Sequence, residues 1–563
     1  MNLSFIGLLI IIKLVQSIPR RGNEPWSVIL CKWAEFPNYE PRTKEWVSNW
    51  MSGPDPSSIQ NYFEQVSNGV YTIRNSNVVG WLQLPYTQKE ILQLANADNG
   101  FALGSESGFN SVLLNGDEFN STELNELEDN AHFQVLFLYA YTTAASKRRY
   151  FDKIKEVCIQ TATEQGVQLH RQKITIVNSG STAVYGKKFG VLLSPQLMFS
   201  SVLTHEMVHS FHIGHSYSDR NIRVFPYAAL GEYADVFDLM STANAYMHRT
   251  SFGMSGPGLN AAHLDVLGWL PMDRTLYFGK DGRQNYTLRL SSLSVPHNRT
   301  RGWLLVMIPY DRDDPRNFYT IELRTPHNFD RGILQPSILI HRVHRSGGSY
   351  YSELLSQGQD FHELTAEGTE WVKFLDADIN GHFPVIRVSV KRMYASDADI
   401  TTFSPTECRL GEKRWQTENE TQRNDLNETI ASEDLNYVCL EKDRQPNATD
   451  IEQQITRQNF YSSLTTYGAN CCKAGWVWRA IDAYDFVCVD RQRRDVAQSE
   501  VDQQESRVRN GDCLSPYIKR DAFPGDTVCV TPVEKLLSIR ETALSTSHLK
   551  HYEFFNGVDS VGP

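Results

Sequence analysis

The segment Leu203–Asp219, LTHEMVHSFHIGHSYSD, constrains the fold more than any other part of the sequence. If it is helical, His205 and His209 lie one turn apart on the same face, so both imidazoles can bind one metal ion. Glu206 lies beside the first histidine, where a carboxylate can take a proton from an attacking water and return it to a leaving amine. Zinc is the expected metal, because catalytic zinc takes three protein ligands and a water. The alternative is an amphipathic helix whose histidines only pack or face solvent.

Two histidines compete for the place of the third ligand. His212 lies on the same face as His205 and His209 if the helix continues. Seven residues of helix rise about 10.5 Å, however, whereas zinc–nitrogen bonds are about 2.1 Å long. The chain must therefore turn back, and Gly214 offers a permissive backbone for that turn. We expect His215, rather than His212, to complete the site.

The histidine segment resembles the signature of the metzincin zinc peptidases, HExxHxxGxxH, with histidines at the same three places. It differs at His212, which stands where the family has its turn glycine. Histidine is one of the few other residue types enriched in the left-handed conformation, so the turn can survive. The resemblance implies that zinc is bound by His205, His209 and His215, and that Glu206 is the catalytic base.

A second segment, GEYADVFDLMS, places Met240 where metzincins carry a methionine beneath the metal, the Met-turn. An ordinary core methionine is the alternative. Some metzincins have a tyrosine two residues beyond this methionine, but Thr242 stands there, and we do not expect Tyr246 to replace it.

More narrowly, roughly residues 26–395 look like the gametolysin and immune inhibitor A branch of these peptidases. The phrases SVILCKWAEFPN, EYADVFDLMS, LNAAHLDVLGWL and YTIELRTPHNFDRGI occur in that order. The resemblance implies a secreted endopeptidase that acts on extracellular proteins or glycoproteins. Some relatives bind calcium, for which Asp235 and Asp238 are candidate ligands here. The alternative is that these two are solvated loop carboxylates.

Several features predict export. Residues 1–17, MNLSFIGLLIIIKLVQS, are typical of a signal peptide, and no later stretch is long and apolar enough to span a bilayer. A net charge of -11 argues against a nucleic-acid partner. Six sequons are usable only after export, at Asn120, Asn285, Asn298, Asn419, Asn427 and Asn447.

Three regions are predicted after the signal peptide. Residues 18–273 mix strands and helices, as expected of an α+β metzincin-like catalytic domain. Its predicted strands are Trp26–Trp33, Phe133–Tyr141, Lys173–Val177 and Phe189–Leu193, and its predicted helices are Ser57–Ser67 and Arg149–Gln165. Short β-branched runs over 274–394 predict a separate, antiparallel, sandwich-like β-domain. Residues 395–563 contain cysteine-paired repeats.

The repeats predict disulfides, since small units bury little core. Two stretches match each other around a V-C-V strand, and a third, weaker copy precedes them. Zinc binding is the alternative, but the region has no CxxC pair. The predicted pairs are Cys472–Cys488, Cys513–Cys529 and Cys408–Cys439. Of the three cysteines left over, we expect a Cys31–Cys158 disulfide, although a free thiol that caps the zinc is the alternative.

These expectations describe a secreted zinc metalloendopeptidase with a protein or glycoprotein substrate. The rival is a secreted binding protein of peptidase fold that has lost activity and contacts glycans or proteins through its repeats. An intact Glu206 favours the enzyme, because a dead enzyme need not keep its base. The sequence does not indicate the oligomeric state.

Overall fold

The protein is a mixed α/β chain with several β-sheets. The computed structural model describes residues 19–97, 144–278, 285–310, 317–346, 349–356, 363–375, 383–404, 412–416, 437–441, 469–473, 475–523 and 526–549, with a few isolated positions between them. Outside the described residues lie the predicted signal peptide, the predicted strand Phe133–Tyr141, Cys408, Asn120, Asn419 and Asn427.

The strands of the first region are β1 (Gly22–Asn23), β2 (Trp26–Lys32), β3 (Tyr71–Thr72), β4 (Asn77–Gln83), β5 (Gln172–Val177), β6 (Ala183–Gly186) and β7 (Gly190–Leu193). Strands β1 and β3 pair with each other, and the other five form a sheet in the order β4-β2-β5-β7-β6, in which only β6 runs antiparallel to its neighbour. The helices are α1 (Lys44–Ser52), α2 (Ile59–Val66), α3 (Gln88–Ala97), α4 (Ala144–Glu164), α5 (Ser200–His209) and α6 (Ala261–Leu267). The predicted elements that fall on described residues are therefore confirmed.

Both faces of this sheet are buried, which explains why β2 is a continuous apolar run. Val28 and Leu30 face the core that also contains α1, α2, α5 and α6. Ile29 and Cys31 face the opposite core, under α3 and α4. The expected disulfide between Cys31 and Cys158 joins β2 to α4 across this second core.

The second region contains two sheets that enclose an apolar core, as a sandwich does. The strands of these two sheets are β8 (Tyr217–Ser218), β11 (Thr275–Tyr277), β12 (Asn285–Ser291), β13 (Leu305–Pro309), β14 (Phe318–Arg324), β15 (Ser337–Ser346), β16 (Ser349–Leu354), β17 (Glu363–Leu364), β18 (Glu370–Phe374), β19 (Val385–Met393) and β20 (Asp397–Phe403). The seven-stranded sheet follows the order β11-β13-β14-β15-β16-β8 with β17 paired to β15, and the four-stranded sheet follows the order β12-β20-β19-β18. Strands β9 (His248–Thr250) and β10 (Gly253–Ser255) pair only with each other, in a separate hairpin of the first region. Short 3₁₀ segments occur at Pro195–Leu197, Leu239–Asn244, Met272–Arg274, His297–Arg299 and Asn328–Asp330.

The second, β-rich region shares a sheet and a hydrophobic core with the first region. Strand β8, which follows the histidine segment, pairs with β16. The outer face of the seven-stranded sheet contributes Met307, Phe318 and Val343 to the same core as Met207 of α5. The sequence boundary near residue 273 therefore does not separate two independent cores. The four-stranded sheet also extends through β20, beyond the predicted boundary at 394.

The C-terminal region contains the predicted repeats. Its elements are β21 (Glu412–Gln416), β22 (Tyr437–Glu441), β23 (Val477–Trp478), β24 (Cys488–Val489), α7 (Arg491–Asp502), α8 (Gln504–Arg507), β25 (Val508–Arg509), β26 (Asp512–Cys513), β27 (Ile518–Lys519), β28 (Cys529–Val530) and α9 (Pro532–His548). Cys472–Cys488 and Cys513–Cys529 form disulfides, which confirms both pairs. The Cys408–Cys439 pair stays a prediction, because Cys408 is not described.

Each repeat also contains a buried ion pair that the sequence pattern did not predict. Arg479 donates to both oxygens of Asp485 at 2.8 and 3.0 Å, and Arg520 donates to both oxygens of Asp526 at 2.7 and 3.1 Å. Arg520 also donates to Glu500 of α7 at 3.2 Å, which joins the two repeats.

No helix in the described ranges is long and apolar enough to cross a membrane.

Replacing Arg520 with alanine should destabilise the repeats by about 3–5 kcal/mol, because the buried carboxylate of Asp526 loses its ion-pair partner and Glu500 keeps only Arg493. Urea denaturation followed by tryptophan fluorescence measures this loss. The control is Arg289→Ala, since Arg289 pairs with Asp399 in a solvent-exposed position and should leave stability nearly unchanged. Equal effects of the two substitutions would contradict this account of the repeat.

Candidate metal centre

Helix α5 brings two imidazoles together in the interior. All ten of its residues are buried, and His205 and His209 lie near its C-terminal end. Their Nε2 atoms are 3.0 Å apart. Two nitrogens bound to one tetrahedral zinc with bonds of about 2.1 Å would be about 3.4 Å apart, so the spacing fits a shared metal.

Hydrogen bonds fix the tautomer of both rings. The Nδ1 atom of His205 lies 3.1 Å from the carbonyl oxygen of Leu239, and that of His209 lies 2.8 Å from the carbonyl oxygen of Ile213. A carbonyl only accepts, so each Nδ1 donates and each Nε2 carries a lone pair. Burial and the neighbouring His215 lower the pKa of His205 to about 3, and burial with the two other histidines lowers the pKa of His209. Both rings are thus neutral, as metal ligands must be.

The chain reverses direction immediately after α5. The amide of His212 donates to the carbonyl oxygen of His209 at 3.0 Å, and His212 has a left-handed backbone with φ of 64°. Gly214 does not have a positive φ, and a Cβ placed on it would meet no atom within 4 Å. The expectation that Gly214 forms the turn is therefore wrong. The left-handed residue of the turn after the helix is His212, where the metzincin signature has its glycine.

The reversal brings His215 into the cluster and leaves His212 out of it. The ligand atoms of His205, His209 and His215 all lie within 4.8 Å of one another. Within the described part of the chain, no other group of three such side chains meets this criterion. The ring centroid of His215 is 4.9 Å from that of His209 and 5.5 Å from that of His205.

Two residues that the sequence analysis did not single out hold His215. Glu232 accepts from Nδ1 of His215 at 2.6 Å, which leaves Nε2 for a metal. Burial acts to raise the pKa of Glu232, but hydrogen bonds from His215 and from the amide of Ala229 lower it overall. The hydroxyl of Tyr233 lies 3.0 Å from Nε2 of His215. Both residues lie in the GEYADVFDLMS segment. The acid and the adjacent tyrosine just before the predicted Met-turn are the sequence feature that could have identified them.

Glu206 is buried beside the cluster but is not one of its three grouped ligands. Burial raises the pKa of Glu206 to about 8, against a hydrogen bond from the amide of Tyr185 and the positive charge of Lys155. A divalent cation nearby would favour the charged carboxylate. The bond from Tyr185 also ties strand β6 to the site.

Met240 lies next to the residue that fixes the first histidine. Leu239 accepts from His205, and the carbonyl oxygen of Met240 accepts from the amide of Ser216 at 3.3 Å. Its side chain is fully buried in the core that contains Met207. The backbone of Leu239 and Met240 therefore contacts His205 and Ser216, and the Met-turn stays a prediction. Tyr246 packs on Phe237 instead, with ring centroids 5.1 Å apart.

The two carboxylates proposed as calcium ligands are engaged inside the protein. Asp235 lies 3.0 Å from Nε2 of His341, and Asp238 lies 3.1 Å from Nδ1 of His263 and accepts from two backbone amides. Burial acts to raise the pKa of Asp238, but His263 and these amides lower it to about 2. The alternative that both are solvated is wrong, because both are fully buried. Calcium binding stays a prediction that these two side chains do not support.

No protein-family model matches the chain, and no curated protein or solved structure is detectably similar to it.

Replacing Glu232 with alanine should weaken zinc binding about 10–100-fold, because His215 loses the acceptor that fixes its tautomer. Competition with a chromogenic chelator measures the affinity. The matched control is Glu353→Ala, since Glu353 of strand β16 accepts from Arg342 of strand β15. Unchanged affinity in the Glu232 variant would contradict its role.

The roles of the two competing histidines can be separated by a pair of variants. His212→Gly should keep zinc affinity within about threefold, because His212 is not a ligand and glycine adopts its backbone without strain. His215→Ala should lose zinc affinity by a factor of at least about 100, because one of three ligands is gone. The reverse order of effects in the same titration would show that His212 binds the metal.

Proposed function

We propose that the protein is a secreted, zinc-dependent metalloendopeptidase of the metzincin type, similar to the gametolysin and immune inhibitor A branch. The observation that carries this proposal is the convergence of the ligand atoms of three histidines within 4.8 Å, beside a buried glutamate. The donor set fits zinc, which prefers a few imidazole ligands and keeps one position open in catalytic sites.

Each residue of the site has a distinct task in peptide hydrolysis. A bound zinc ion supplies a Lewis acid and lowers the pKa of water to about 7. His205, His209 and His215 hold the metal, and Leu239 and Glu232 orient two of these rings. The Glu206 carboxylate takes a proton from the attacking water and passes it to the nitrogen of the leaving amine. Its buried position keeps bulk water away from this transfer.

The edge of the five-stranded sheet supports a polypeptide substrate. Strand β6 is the last strand in the order, and in the described ranges no strand pairs with its outer edge. Tyr185 of β6 contacts Glu206, so this edge runs beside the site. An extended peptide can add to such an edge through its own backbone hydrogen bonds. This arrangement suits proteins and glycoproteins, and no nucleic acid or membrane partner is proposed.

The proposal of secretion rests on cysteine use and on the sequons. Three disulfides form among the described residues, which is typical of oxidising compartments. The sequons at Asn285, Asn298 and Asn447 are exposed and therefore accessible to glycosylation.

Replacing Glu206 with glutamine should leave zinc binding unchanged and lower casein cleavage by a factor on the order of 10²–10⁴, because the proton acceptor is lost. Zinc content and casein cleavage are measured on the same preparation, with and without a chelator. Chelation should abolish cleavage by the wild type, and added zinc should restore it.

The matched control is Glu353→Gln, which makes the same chemical change at a partly buried glutamate that pairs with Arg342, and it should cleave casein like the wild type. Turnover retained by the Glu206 variant would contradict its role. A wild type that binds zinc but cleaves no protein would instead favour the inactive binding protein.

A further inference from the structure

The hydroxyl of Tyr233 lies against one ring of the histidine cluster, that of His215. It is 3.0 Å from Nε2 of His215, and the two ring centroids are 4.2 Å apart. Because Nδ1 of His215 is engaged by Glu232, Nε2 carries a lone pair and the phenol donates to it. The hydroxyl therefore reaches the same nitrogen that the proposed function assigns to the metal.

The backbone of Tyr233 is held in an unusual conformation. Its φ is 61°, in the left-handed region that bulky residues rarely adopt. The amide of Tyr233 donates to the carbonyl oxygen of Ser216 at 2.9 Å, and its own carbonyl accepts from Asn244 at 3.1 Å. Phe225 packs against the ring, with centroids 5.2 Å apart. Such strain persists only where surrounding contacts impose it, and it is concentrated at functional sites.

The chemistry of peptide cleavage needs a donor at this place. The oxygen–carbon bond to water forms and the carbon–nitrogen bond breaks, while Glu206 carries one proton from the water to the amine. In between, negative charge develops on the former carbonyl oxygen, and a fixed donor aimed at that oxygen speeds such reactions by about 10²–10³-fold. Glu206 accepts protons and cannot fill this role. Lys155 is committed to Asp152 at 2.9 Å.

We propose that Tyr233 is a catalytic residue whose hydroxyl, once Nε2 of His215 is bound to metal, donates to the oxyanion of the substrate. The hydroxyl keeps its own proton throughout, so no further reactant is required. This inference rests on the proposed function and adds Tyr233 to Glu206 as a second catalytic side chain. Tyr233 precedes Met240 in the chain, whereas the tyrosine that some metzincins use follows the methionine.

The test uses Tyr233→Phe, which keeps the ring packing and removes only the hydroxyl. The full-length protein is loaded with Co²⁺, whose visible spectrum reports metal binding and inhibitor binding without turnover. Two probes are titrated: a phosphinic tripeptide, which carries a tetrahedral oxyanion, and acetohydroxamate, a planar chelator. The control variant is Tyr246→Phe, since Tyr246 packs on Phe237.

The variant should bind Co²⁺ and acetohydroxamate within threefold of the wild type, but bind the phosphinic tripeptide at least tenfold more weakly. Its kcat on casein-derived peptides should fall by about 10²–10³ with little change in KM. Tyr246→Phe should behave as the wild type. If Tyr233→Phe does not fold, Tyr233→Asn should give the same pattern, because asparagine tolerates a left-handed backbone.

The inference is overturned if the variant binds the phosphinic tripeptide within threefold of the wild type, or if it loses Co²⁺ affinity by more than tenfold. In either case cleavage of casein by the wild type leaves the proposed function standing. A wild type that binds Co²⁺ and shows the Tyr233-dependent tripeptide affinity, yet cleaves no protein, contradicts the proposed function alone. A wild type that binds no Co²⁺ overturns both.

Discussion

The reversal of the chain after α5 is the constraint on which the candidate site depends. The helix ends at His209, and the left-handed backbone of His212 sends the chain back so that Ile213 accepts from Nδ1 of His209. The same reversal brings His215 to the cluster. One local conformation thus fixes the tautomer of the second histidine and places the third. A straight helix could do neither, because it would carry the later histidines away along its axis.

This turn is supported by a buried polar network that reaches into the β-rich region. Asp238 holds the amide of Met240 and pairs with His263, while Asp235 pairs with His341 of β15. All four side chains are buried, so each needs its partner. One of these pairs links the two regions, because His341 lies 106 positions after Asp235 in the chain. The seven-stranded sheet is therefore part of the support of the site.

The sequence predicted the parts of the site that depend on helical spacing. The spacing of four residues on one helix predicted His205 and His209 as ligands, and Glu206 was predicted because it is adjacent to His205. His215 was predicted because zinc–nitrogen bonds are too short for a straight helix to supply the third ligand. Residue type assigned the turn to Gly214, whereas the resemblance to the metzincin signature gave His212 as the turn position, and the left-handed residue is His212. The contacts of Glu232 and Tyr233 with His215 depend on how the chain closes between residues 216 and 231. Helix α7 was not predicted, because the side chains that it buries include Arg493 and Glu500, which form an ion pair. A search for regularly spaced apolar residues does not detect a helix whose buried face is charged.

The central claim is that three imidazoles, and not His212, surround one metal ion. X-ray diffraction from zinc-soaked crystals, recorded on both sides of the zinc absorption edge, tests it most directly. The account predicts one strong anomalous peak about 2.1 Å from Nε2 of each of His205, His209 and His215. No peak between these nitrogens, or a peak bonded to His212 in place of His215, would contradict it.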